Sequence, residues 1–436
     1  MIHETPGDSA QTSTESIARL CAMRAPILFA VAAACSSPSH GTSPDANGQT
    51  GGDARNADAS QSGSSSALGA LMPQEVAGDA QAIMATPTVI PITWDNDPQR
   101  ADVEALYQQY AASSAWATQT AEYGIGALTV GTPEHMSGTP SSSDTAIHTL
   151  LAAELGGASP PWGAPNENTL YSFTLPIDTA FTDDLGDKCC GGYHDDVMVG
   201  SVDVAYSVQC PCTGAFPPPT TALQALTFAL SHELVEGITD PRYENDYAWG
   251  GLDMAHQIWA YATDGELADL CEFTDTTLWA DAPNMTYTIS RIWSNAAAHA
   301  GTDPCLGAPT SPYYQAVPEQ PDDASISLFG GTVATKATKI AMSTAGTITL
   351  QVAGDAGSGP FTITAADLAS ELGAKTPLLS FVQPTGTYAI GDTVTIQVTP
   401  KGKDTMLGGT GAEGFEIATK PMSGGPTTYF YGLVTQ

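Results

Sequence analysis

The chain has 436 residues, room for two ordinary domains with tails. Lys and Arg number 13 against 47 Asp and Glu, a net charge of -34 although only 14% of residues are charged. A surface so poor in Lys and Arg argues against recognition of phosphate backbones, so no nucleic acid partner is expected; its field favours cations, metal ions or basic peptides among them. The acids are scattered rather than run together, and between Ala101 and Pro241 the only Lys or Arg is Lys188.

Near the N-terminus, RLCAMRAPILFAVAAACSSPSH offers two arginines, an apolar run of about ten residues and then small residues around Cys35. The run is too short to span a membrane and suits a secretory signal. AAAC followed by serines has the pattern of a bacterial lipoprotein processing site, with Ala32 where Leu is usual and Cys35 as the acylated residue. Ordinary signal cleavage is the alternative, and Met23 before Arg24 is an alternative start. Residues 1–35 are thus expected to direct export, with a lipid anchor as the sole membrane attachment. Six cysteines remain: Cys189, Cys190, Cys210, Cys212, Cys271 and Cys305. In an exported chain an even number reads as disulfides, and CC and CPC lack the usual CxxC spacing of metal sites.

Residues 36–85 are rich in Ser, Gly, Ala, Asp and Gln and are expected to form a disordered tether. TPTVIPITW then reads as a strand. A helix is expected to follow with Asp97 at the N-cap, Pro98 at N1 and Val103, Leu106, Tyr107 and Tyr110 on one face. IGALTV, TLYSFTLP and SVDVAYSVQ read as further strands, the last alternating Val202, Val204, Tyr206 and Val208 with polar or small residues. Pro217 to Pro219 and a capping box from Thr221 to Gln224 announce the next helix, whose apolar stripe is Leu223, Leu226, Leu230, Leu234 and Ile238. Thr239-Asp240-Pro241 ends it. After a linker near GAPTSPYYQAVPEQPDD, residues 325–436 contain neither Cys nor His, and runs such as GTITLQVAG and DTVTIQVTP predict an all-β, immunoglobulin-like sandwich.

The chemistry-bearing stretch is LSHELVEGITDP, an HExxE pattern. Helical spacing lets His232 and Glu236 reach one ion. In HExxH enzymes the glutamate at the position of Glu233 takes a proton from the water on the metal. The bland reading is a surface helix with a carboxylate pair. A catalytic zinc needs a third protein ligand. In TDGELADLCEF, Glu266 ranks first and Asp269 second, with His256 and Asp240 behind. One imidazole and two carboxylates cancel the charge of a divalent ion and suit zinc, with Mn²⁺ or Ca²⁺ as oxygen-preferring rivals.

Taken together, SHELVEGITDP, GELADLCEF, YTISRIWSN, CCGGYHDDV and CPC resemble the exordium-like, phosphate-induced protein family over residues 86–310. The resemblance implies an extracellular, zincin-like α/β metal-binding domain that gathers His232, Glu233, Glu236, Glu266, Asp269 and Cys271. It also draws in His194, which the residues alone leave as a structural histidine. Two functions fit these expectations. One is an exported or lipid-anchored zinc metallopeptidase acting on a peptide or protein, with Glu233 as base. The other is a non-catalytic envelope protein with a structural ion and a β-sandwich binding module. Oligomeric state is not readable from the sequence.

Overall fold

The structure is a computed structural model that describes residues 65–78, 82–183, 188–189, 191–213, 220–242, 248–272, 274–307, 312–328, 331–409 and 411–436. The export segment with Cys21 and Cys35, most of the tether, Cys190 and Pro217 to Pro219 lie outside the described residues. The expected tether ends before residue 85. Helix α1 (Ser65–Gly69) and strand β1 (Glu75–Ala77) belong to the fold, and Leu68, Met72 and Met84 are buried. A few large apolar side chains suffice to dock a short segment on a core that other elements have built.

Strand β2 (Thr88–Trp94) enters a six-stranded mixed sheet. Helices α2 (Arg100–Ala112) and α3 (Ser114–Thr120) follow, then β3 (Thr129–Val130), β4 (Glu134–Met136), α4 (Asp144–Leu155), β5 (Thr169–Thr174), β6 (Gly191–Val199) and β7 (Val202–Cys210). The order is β3-β2-β5-β7-β6, with β4 also on β2. Every pair is parallel except β6 with β7, which form an antiparallel hairpin. Helix α2 starts later than expected: Gln99 is its N-cap without a side-chain bond. Asp97 Oδ1 accepts from Gln99 N at 2.9 Å, an Asx turn that holds the chain out of the helix. IGALTV yields only the two-residue β3.

The alternation in β7 is real, but both faces are covered. Val204, Tyr206 and Val208 pack in the cluster containing Ile147, Leu151 and Leu155 of α4. Ser207 and Gln209 are buried on the other face, where Ser207 bonds Ser172 Oγ at 3.0 Å and Ser172 in turn bonds Gln209 at 3.2 Å. Helix α5 (Ala222–Thr239) carries the HExxE segment. Its capping box is present, with Thr221 Oγ1 accepting from Gln224 N and Gln224 Oε1 accepting from Thr221 N. From Leu226 to Thr239 it is buried all round rather than along one stripe, as befits a helix enclosed on every side. Asp240 is its C-cap.

Beyond it come β8 (Trp249–Leu252), α6 (Gln257–Thr263), α7 (Asp269–Glu272), β9 (Leu278–Trp279), β10 (Ile289–Ser290), β11 (Ile292–Trp293), α8 (Asn295–Ala300) and β12 (Cys305–Leu306). Strand β8 pairs with β1, so the supposed tether closes one side of the site. Disulfides Cys189–Cys210 and Cys271–Cys305 form, and Cys212 is also disulfide-bonded. Such bonds point to an oxidising, extracytoplasmic environment. No helix among the described residues is long and apolar enough to cross a membrane. Cys271–Cys305 closes a loop with a sequence separation of 34 and fastens α7 to β12. Loop entropy then predicts that the Cys271→Ala/Cys305→Ala pair loses about 4 kcal/mol of unfolding free energy, measurable by denaturant titration.

The remaining strands are β13 (Tyr314–Pro318), β14 (Asp322–Leu328), β15 (Gly331–Lys339), β16 (Gly346–Gly354), β17 (Phe361–Asp367), β18 (Leu379–Val382), β19 (Thr393–Pro400), β20 (Ala412–Pro421) and β21 (Thr428–Thr435), with α9 (Leu368–Glu371) after β17. Sheet β13-β16-β19-β18 faces sheet β14-β15-β21-β20-β17 across a core that includes Ile348, Leu350, Phe361 and Phe415. The expected linker is partly strand: β13 is an edge strand, where Pro318 removes no needed donor. The two halves share apolar packing. Trp259 of α6 meets Phe430 and Tyr431 of β21 at ring distances of 5.1 and 5.0 Å, and one cluster runs from Leu68 to Leu433.

Within β20, Glu413 is fully buried; burial pushes its carboxyl up to about 7, against the Gln436 hydrogen bond and with Asp404 adding to the rise. Burial, then Glu371, raises Glu416 to about 7 as well. A raised carboxyl binds more protons folded than unfolded between 4.5 and about 7, so its contribution falls as pH rises through that window. Wild type is therefore expected to lose more stability than Glu413→Gln/Glu416→Gln between about pH 5 and pH 8 in parallel thermal melts.

Candidate metal centre

Three segments meet around the HExxE turn of α5. Strand β6 contributes His194, the helix contributes His232, Glu233, Glu236 and the C-cap Asp240, and the turn into α7 contributes Glu266 and Asp269. That turn starts at Asp264 and Gly265, both at positive φ, 74° and 95°. All seven side chains lie in the interior. Close backbone approach makes room for them. A Cβ on Gly192 of β6 would stand 2.7 Å from Glu233 Oε1, and one on Gly250 of β8 would stand 2.4 Å from Asp240 Oδ2.

Two groups of three are spaced to hold a metal ion, and they share Glu236. One is His232, Glu236 and Asp269; the other is His194, Glu236 and Glu266, with the ligand atoms of each group within 4.8 Å of one another. Ligands at about 2.1 Å from a tetrahedral ion stand about 3.4 Å apart. His232 Nε2 lies 3.3 Å from Asp269 Oδ1, and His194 Nε2 lies 3.4 Å from Glu266 Oε1, both close to that edge and longer than a strong hydrogen bond. His232 Nε2 to Glu236 Oε2, at 2.9 Å, is hydrogen-bond length. Glu236 Oε1 accepts from Ala268 N and Asp269 N, both at 3.0 Å, so α7 is locked in place and Oε2 faces the imidazole.

The two imidazoles are supported differently. His194 Nδ1 stands 3.5 Å from Glu233 Oε2 while its Nε2 faces Glu266, the carboxylate–imidazole arrangement that orients metal-binding histidines. His232 Nδ1 is buried with no hydrogen-bond partner among the described residues. Burial alone would lower the His194 pKa, but Glu266, Glu233 and Glu236 raise it well above the ordinary imidazole value. His232 behaves likewise, raised against burial by Glu236, Asp269 and Glu233. Burial raises Glu266 well above the usual carboxyl range, opposed by His194 and reinforced by Glu236, Asp269 and Asp240. A cation would relieve the repulsion that these acids exert on one another.

The structure thus brings His232, Glu233, Glu236, Glu266 and Asp269 together, but divides them. Glu266 sits with His194, and Asp269 sits with His232. The third-ligand question therefore has two answers rather than one. His194, left as structural by the residues alone, faces the cluster. His256 does not: its Nδ1 meets Asp253 Oδ2 at 2.8 Å, its Nε2 meets the Leu71 carbonyl at 3.1 Å, and its ring packs on Phe430. Asp240 borders the cluster, with Oδ1 accepting from Ala248 N at 2.7 Å and its carbonyl 3.2 Å from His194 Nε2. Glu75 was missed altogether. It is buried, both oxygens lack a hydrogen-bond partner among the described residues, and burial, then Asp240, Glu236, Asp269 and Asp253, raises its pKa well above the usual range.

A third group stands across the sheet. Successive residues of a strand point to opposite faces, so where His194 faces α5, Asp195 faces α4 and joins Asp144 and His148. Tyr193 and Tyr206 hydroxyls donate to Asp144 Oδ1 at 2.8 and 2.5 Å. No family model matches the chain, nor does any curated protein or solved structure.

Proposed function

We propose that the chain is an exported metal-dependent hydrolase, a zinc metallopeptidase in which the α5 cluster holds the ion. The observation that carries this reading is the pair of imidazole–carboxylate groups meeting at Glu236 on an HExxE helix, with Glu233 one residue from His232. A bound divalent ion would supply Lewis acidity and acidify a coordinated water. His232, Glu236 and Asp269, or His194, Glu236 and Glu266, would hold it. Glu233 orients His194 through Nδ1 and, C-cap Asp240 aside, is the helix carboxylate outside both groups, which leaves it as the proton acceptor. Either set offers one imidazole and two carboxylates, which suits zinc, and the carboxylates keep Mn²⁺ and Ca²⁺ as competitors. Helix over mixed sheet supports a zincin-like domain related to the exordium-like family, and the paired sheets support an immunoglobulin-like module. The disulfides and AAAC segment support an exported, lipid-anchored protein.

The burial of every group in the cluster favours a second reading, a structural ion in a non-catalytic envelope protein. Incubating the full chain with zinc and a peptide library separates the two. Cleavage that chelation abolishes and zinc restores supports the hydrolase. Bound metal without cleavage of any peptide favours the structural ion.

A further inference from the structure

The acid count around α5 exceeds what one ion can balance. Six carboxylates, Glu75, Glu233, Glu236, Asp240, Glu266 and Asp269, are buried there. Ion pairs within the cluster run to His194 and His232, whose neutral forms are the ones that bind metal. With all six ionised, one divalent ion would leave four negative charges in the interior and two ions would leave two. Burying uncompensated charge is costly enough that the second cation matters. Glu75 sharpens the point independently. It comes from β1, has neither oxygen hydrogen-bonded among the described residues, and the acids that act on it are Asp240, Glu236, Asp269 and, last, Asp253. A buried carboxylate with no partner, facing other carboxylates, marks a place where a cation belongs.

Resting on the metal-binding reading above, we propose that the centre is dinuclear, with Glu236 shared between two divalent ions. One ion takes His194, Glu236 and Glu266; the other takes His232, Glu236 and Asp269. The division follows from the distances: each imidazole stands at ligand-edge spacing from a different acid, and Glu236 alone belongs to both groups. The amides of Ala268 and Asp269 hold Glu236 Oε1, leaving Oε2 as the shared oxygen. Carboxylate-rich pairs of ions about 3.5–4 Å apart are the arrangement that clamps both the attacking and leaving oxygens in hydrolytic enzymes. Glu75 and Asp240 then border the pair without being assigned to either ion.

Full-length protein is loaded with Mn²⁺, desalted, and read by elemental analysis and electron paramagnetic resonance. Two ions per chain with an exchange-coupled signal are expected. His194→Ala and Asp269→Ala should each hold one ion with an uncoupled signal. His148→Ala, on the opposite face of the sheet, should still hold two coupled ions. Circular dichroism of each variant establishes that it folds, and wild-type stoichiometry and coupling stand even where a variant does not. One ion in wild type overturns the dinuclear centre and leaves the metal-binding reading intact. No ion after loading with Mn²⁺ or zinc overturns both. Two uncoupled ions, one of them lost in His148→Ala, place the second ion beside α4 and also overturn the proposal.

Discussion

Glu236→Ala is expected to abolish metal binding at the α5 cluster, weakening it by at least about 100-fold, because a directly bound carboxylate matters more than the supporting groups whose loss costs that much. No other residue belongs to both candidate groups. The same change leaves the Ala268 and Asp269 amides without their acceptor, a loss of about 1–3 kcal/mol for each buried donor. Glu236→Gln divides the two effects. Its side-chain carbonyl can still accept from both amides, so folding is retained while the negative charge that holds the ion is gone. Metal titration by calorimetry, beside a thermal melt, checks both variants. Full metal affinity in Glu236→Ala would remove the helix from the site.

Glu233→Gln is expected to lower peptide hydrolysis by about 10²–10⁴-fold, the range for a lost general base, while metal content stays unchanged. The amide preserves the size of the side chain and a polar contact to His194 Nδ1, so the imidazole keeps its orientation. Turnover and metal content measured on the same preparation decide the outcome. Unchanged turnover would assign Glu233 to holding His194 alone. Because Gly192 leaves no space above the Glu233 carboxylate, Gly192→Ala should mimic part of this loss by displacing it.

Much of the local structure was legible. The α5 helix declared itself through its capping box and its Thr-Asp-Pro end, and β2, β5 and β7 through β-branched runs, because these signals are short-range. His232 and Glu236 followed from helical spacing, and Asp269 from the acidic turn beyond it. What the sequence hid depends on contacts between distant segments. His194 stands alone in sequence, and only the β6–β7 hairpin brings it beneath α5. Gly200-Ser201 is the one local hairpin signal that places GGYHDDVMV on a strand beside β7. Glu75 lies in a stretch whose composition reads as tether, and its pairing with β8 has no local signature. The late start of α2 shows the same limit at small scale, since Asp97 serves a turn as readily as a cap.

The buried acids have two physical explanations: they repel one another in an apo core, or they surround cations. Anomalous diffraction from crystals of the full chain grown with zinc, collected on both sides of the zinc edge, distinguishes these directly. Peaks beside Glu236 Oε2, one within bonding distance of His194 and Glu266 and one of His232 and Asp269, are the predicted result. Zinc-saturated crystals with no anomalous peak at Glu236, and His232 still hydrogen-bonded to it, would contradict the account.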